Sequence, residues 1–97
     1  MQRDRTLHTL SQLLPMLKSR FHVSRLGVFG SVARNEAATD SDIDIVVSFD
    51  QPATLNNFMN LQVFLEGELK THIDLVTENA IRKEIKSYIE KDIIYAC

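Results

Sequence analysis

Ninety-seven residues, 44% hydrophobic and 25% charged, with a formal net charge of -2, predict one compact domain over residues 1–97. That leaves no room for a catalytic domain plus a separate substrate domain. The near-neutral balance excludes a general electrostatic pull on nucleic acid, and the single cysteine, Cys97, excludes an intrachain disulfide framework and fits a reducing cytosol. The N-terminus lacks a signal-peptide stretch and no run nears the roughly 20 apolar residues that span a bilayer, so a soluble cytoplasmic protein with no direct nucleic-acid or membrane partner is expected.

In chain order, Leu7, Leu10, Leu14 and Leu17 recur at three- and four-residue steps. They define one stripe of an amphipathic helix running to about Arg20. Pro15 interrupts it, so a kink, or a regular helix starting only there, is expected. Phe21 to Ser24 reads as a connection, and Leu26, Val28 and Phe29 around Gly27 as a short strand closed by Gly30 and Ser31. A glycine directly after a strand marks a sharp turn or a close approach of the backbone. Val32 to Ala38 has the composition of one or two helical turns, and Thr39, Asp40 and Ser41 that of a polar turn.

The stretch from Asp42 to Phe49 alternates, with Ile43, Ile45, Val47 and Phe49 on one face and Asp42, Asp44, Val46 and Ser48 on the other, as a strand requires. Thr54 then suits the N-cap of a helix that buries Leu55, Phe58, Leu61, Leu65 and Leu69, with Glu66 and Lys70 as an exposed pair four residues apart. Ile73 to Val76 is a third strand. Asn79 is the expected cap of a last helix with Ile81, Ile85, Tyr88 and Ile89 facing inward and Arg82, Lys83 and Lys86 on the other side. The tail Ile93-Ile94-Tyr95-Ala96-Cys97 is apolar enough that it must dock on its own domain or cover a partner. Alternating helices and strands give an α/β (α+β) class.

Two residues apart on one strand, Asp42 and Asp44 point to one face with backbones about 6 to 7 Å apart. Bare carboxylates there raise each other's pKa, and hard oxygen ligands select Mg²⁺ or Mn²⁺. Asp-x-Asp alone is more often a solvated strand end than a metal site, until a third feature joins it. Asp74, again at the start of a short apolar strand, is the third feature. With the two strands adjacent, three carboxylates converge, and such a triad can hold two Mg²⁺ ions for in-line phosphoryl or nucleotidyl transfer, with Asp74 nearest the nucleophile as ligand or base. The Gly30-Ser31 turn and a following helix start offer backbone amides and a hydroxyl to phosphate oxygens. Arg34 can reach a phosphate or pair with Asp40.

Gly30-Ser31, ten residues, Asp42-Ile43-Asp44 and then Asp74 resemble the signature of the polymerase-beta-like nucleotidyltransferase superfamily. Within it, Gly-Ser-Val-Ala-Arg at 30–34, Glu36-Ala37 and Ser41-Asp42-Ile43-Asp44-Ile45 look like the minimal nucleotidyltransferase group, over nearly the whole chain. The resemblance implies a nucleotidyltransferase fold, a short mixed three-stranded sheet flanked by about four helices. It implies Asp42, Asp44 and Asp74 as catalytic metal ligands, and Gly30 and Ser31 holding the triphosphate of ATP, with Arg34 and Ser41 of the matched stretches also assigned to the nucleotide. It further implies an antitoxin that transfers AMP, with Mg²⁺, to a tyrosine hydroxyl of a HEPN-domain ribonuclease toxin in a hetero-oligomeric complex. Asn35 departs from the glycine common after that arginine and touches none of these ligands.

Two alternatives stand beside this. A non-catalytic antitoxin would mask its partner with the apolar tail and last helix. A nucleotidyltransferase for a small molecule such as an aminoglycoside would need the substrate domain for which 97 residues leave no space.

Overall fold

The computed structural model describes residues 3–34, 42–52, 54–84 and 92–96. Helix α1 (Arg3–Phe21) leads into β1 (Val23–Phe29), the single-turn α2 (Gly30–Ala33), β2 (Ile43–Phe49), α3 (Leu55–Leu69), β3 (Ile73–Thr77), α4 (Glu78–Glu84) and β4 (Ile94–Tyr95). The strands form one mixed sheet in the order β3-β2-β1-β4. β1 runs antiparallel to β2 and β4, and β2 runs parallel to β3.

One face of this sheet carries the main core. Leu10, Leu14 and Leu17 of α1 and Leu61, Leu65 and Leu69 of α3 pack against Leu26 and Val28 of β1, Ile43, Ile45 and Val47 of β2, and Ile73 and Leu75 of β3. Full burial stabilises each such side chain by about 1.5–3 kcal/mol. The other face carries a smaller cluster of Phe29, Val46 and Ile81, edged by Val76 and Ile93. The strand alternation therefore holds, but the second face is not a polar surface. Its middle is apolar, and its two ends are polar.

Several local expectations change. α1 continues through Pro15; Pro15 and Ser11 both lie on the exposed side, where water can satisfy the carbonyl that loses its amide partner. β1 begins at Val23, and the turn before it is made by His22 at φ 60°. Thr54 caps α3 as expected, its side chain accepting from the Asn57 amide at 3.1 Å. Leu55, however, is 73% exposed, because α3 buries its apolar side only from Leu61 onward, with Phe58 half-buried at the core edge.

Lys70 has left the helix as a left-handed C-cap, so the helical four-residue geometry ends before it. The Glu66 carboxylate instead accepts from the Ile73 amide at 3.1 Å and lies 3.2 Å from His72 Nδ1. The cap of α4 is Thr77, whose hydroxyl accepts from the Ala80 amide at 3.2 Å, because the helix starts directly where β3 ends, before Asn79 can serve. Ile81 faces inward, fully buried; Ile85, Tyr88, Ile89 and Lys86, like the side chains of Arg82 and Lys83, lie outside the described residues.

The tail docks on its own domain. Ile94 and Tyr95 pair with Val28 and Gly27, and the Ala96 amide donates to the Leu26 carbonyl at 2.8 Å. This makes a four-stranded sheet where three strands were expected. Gly27 permits it: a Cβ there would stand 2.9 Å from the Ile94 carbonyl oxygen and 3.1 Å from the Tyr95 ring. Among the described residues no helix is long and apolar enough to cross a membrane.

Candidate active site

Asp44 and Asp74 are cross-strand partners in the parallel β2–β3 pair. Both are the second residues of their strands, so topology sets two carboxylates side by side at one end of the sheet. The side-chain alternation turns both away from the main core. Asp42, just before β2, is exposed, Asp44 half-buried and Asp74 exposed.

On its other side Asp44 pairs with Phe29, the residue before Gly30. Gly30 has φ +69°, and a Cβ on it would run into the Asp44 carboxylate, with Cγ only 3.1 Å away. Both the left-handed backbone and the occupied space demand glycine at this turn. Ser31 follows, half-buried in α2, whose described part is a single turn capped by Phe29 without a side-chain hydrogen bond.

Asp44 is held above the ordinary carboxyl value of 3.8. Burial is the main cause; the negative charge of Asp74, a hydrogen bond shared with Asp74, and the charge of Asp42 follow, and Arg34 opposes them. Burial and the neighbouring carboxylate thus both disfavour the charged form of Asp44. Arg34 is near enough to act on Asp44, and its Nη1 contacts Asp92 Oδ2 at 3.4 Å. Asp40, its alternative partner, lies outside the described residues, as do Ser41 and Asn35.

The structure thus brings together Gly30, Ser31, Arg34, Asp44 and Asp74, with Asp42 contributing its charge. Among the described residues no group of three or more His, Cys, Asp or Glu side chains stands close enough together to hold a metal ion, so the structure brings two carboxylates into register and not the three expected to converge. The donor chemistry nevertheless fits a hard divalent cation: the oxygens are carboxylate, and Gly30 leaves the approach to Asp44 clear of side chain. His72 turns to Glu66 rather than into this group.

Sequence reasoning missed the far end of the same face. There Arg25 Nε and Nη2 donate to the two Glu78 oxygens at 2.9 and 2.7 Å, Tyr95 donates its hydroxyl to Glu78 at 3.0 Å, and the Arg25 guanidinium lies 4.4 Å from the centre of the Tyr95 ring. Glu78 is pulled below its usual 4.5, first by the hydrogen bond from Arg25, against the opposing effect of burial, with Tyr95 and Ser48 assisting. A cavity of about 230 Å³ lined by Val47, Ser48, Thr77 and Glu78 lies at this end, away from the aspartates. The available signal was weak: an arginine in an apolar strand and a glycine two residues on.

Residues 10–96 match the family described as "Nucleotidyltransferase domain". The chain is 38% identical over 79 residues to the protein adenylyltransferase MntA of Thermococcus cleftensis, an alignment covering 81% of this chain and 80% of that one. A solved structure provisionally assigned as a minimal nucleotidyltransferase superposes with a TM-score of 0.77 at 34% identity, over 97% of this chain and 95% of that one. The fold also matches a crystal structure of a toxin-antitoxin with AMP-PNP, TM-score 0.67 at 17% identity, over 90% of this chain and 72% of that one. The chain belongs to the nucleotidyltransferase domain family. It is accordingly an enzyme of the nucleotidyl-transferring class.

Proposed function

We propose that residues 1–97 act as one cytoplasmic minimal nucleotidyltransferase domain, an antitoxin that transfers AMP from ATP to a hydroxyl of a HEPN-type toxin, a tyrosine by the resemblance of its motifs. The observation that carries this reading is the Asp44–Asp74 pair in register beside the Gly30 turn. The relatives' protein adenylyltransferase activity and the toxin-antitoxin assembly of a fold neighbour with a nucleotide analogue support the acceptor class.

In this reading Asp42, Asp44 and Asp74 would hold Mg²⁺, which when bound would neutralise phosphate charge and make a hydroxyl more acidic. Gly30 gives the triphosphate access to backbone amides, Ser31 donates a hydroxyl, and Arg34 and Ser41 contact the nucleotide. The acceptor oxygen forms a bond to the α-phosphorus as the bond to the bridging oxygen breaks; pyrophosphate leaves and the proton passes to Asp74, which is exposed to an incoming partner. Asp44, half-buried, would be the most restrained of these ligands.

The test is label transfer from α-labelled ATP to the toxin encoded beside this chain, with Mg²⁺. Transfer by the wild type and none by Asp42→Ala/Asp44→Ala is expected. Neutralisation of the toxin by that double variant, with no label on the toxin in either case, would establish masking by binding instead.

A further inference from the structure

The segment from Asp92 to Ala96 is fastened to the sheet at several points. Ile93 packs in the cluster with Phe29 and Val46, Ile94 and Tyr95 pair with β1, and Tyr95 is anchored by Glu78 and Arg25. Phe29 is the residue on which the Gly30 turn is built. Asp92 thus stands one residue from a packed anchor, and its carboxylate meets Arg34 at 3.4 Å.

We propose that Asp92 is a positioning residue for the nucleotide site, holding the Arg34 guanidinium at the exit of the Gly30 turn, where it serves a triphosphate. This deepens the proposed function and rests on it. Arg34 leaves α2 on the exposed side, and a long side chain there loses much of its rotamer freedom when it is fixed on a ligand. A carboxylate on a fastened segment removes part of that loss beforehand. Arg34 engages Asp92 through Nη1 and is near enough to the acidic pair for its charge to act on Asp44. With side chains 46% and 36% exposed, the pair adds little to stability.

The experiment is titration of AMP-PNP with Mg²⁺ into wild type, Asp92→Asn, Asp92→Glu, Arg34→Ala and the Arg34→Ala/Asp92→Asn double variant, with thermal unfolding of each. Asp92→Asn should weaken binding about three- to tenfold with Tm unchanged, Asp92→Glu should recover most of it, and Asp92→Asn should add nothing once Arg34 is alanine. Binding by Asp92→Asn equal to or tighter than wild type, or a full effect of it in the Arg34→Ala background, overturns the inference. No binding by wild type overturns the nucleotide reading itself, and the inference with it.

Discussion

Two carboxylates on the same face of the sheet are shifted in opposite directions. Asp44 is pushed up by burial and by Asp74, whereas Glu78, at the other end, is pulled down by Arg25. Both lie beside the small apolar cluster of Phe29, Val46 and Ile81, so the neighbours decide the sign. Glu78 has the ring-stacked guanidinium of Arg25 and the hydroxyl of Tyr95 to satisfy it, and it fastens α4 and β4 to β1. Asp44 has another carboxylate, which leaves it destabilising at neutral pH and receptive to a cation.

The largest expected effect separates these roles by activity. Asp44→Asn should lower nucleotidyl transfer by about 10²- to 10³-fold or more while keeping the fold; transfer within a fewfold of wild type would remove the acidic pair from the chemistry. Next comes Gly27→Val, which puts side chain where the Ile94 carbonyl and Tyr95 ring lie. It should cost about 2 kcal/mol in denaturant unfolding by displacing β4, and an unchanged midpoint would mean that β4 contributes little. Glu78→Gln should cost about 1 kcal/mol, a modest figure because the Arg25 side chain is 43% exposed.

The pH dependence sharpens the contrast further. Glu78, depressed in the fold, contributes stability that is present above pH 4.5 and lost as pH falls through its lower folded value. Asp44, raised in the fold, behaves in the opposite sense: the folded protein retains a proton that the unfolded chain releases, so its contribution declines as pH rises from 3.8 through the raised value. Metal-free Asp44→Asn should therefore unfold at a higher temperature than wild type at pH 7. The gain should shrink as pH is lowered, and a lower Tm at pH 7 would show that the charge on Asp44 is already compensated.

Much of this was legible in the sequence because it depends on local pattern. The alternation of Ile43, Ile45 and Val47 fixed which way Asp44 must point, and a glycine after a strand announced a close approach, here to Asp44 itself. What the sequence does not carry is the pairing of elements far apart. That Asp74 stands exactly opposite Asp44 follows only from the parallel β2–β3 register. The Arg25–Glu78 contact spans 53 residues, and Asp92 reaches Arg34 across 58. Ile94-Tyr95 is too short to read as a strand by periodicity; its docking depends on the gap that Gly27 leaves. Leu55 failed for the converse reason, since helical spacing places it on the buried stripe although α3 meets the sheet only further along.

The central claim is that the Asp44–Asp74 end is built to be neutralised by a cation carrying a nucleotide. Thermal unfolding of wild type and Asp44→Asn at pH 7, with and without Mg²⁺ and AMP-PNP, tests it most directly. Wild type should be stabilised by the pair of ligands together, and Asp44→Asn should start higher and respond little. Equal responses from the two proteins, or no response from wild type, would contradict it.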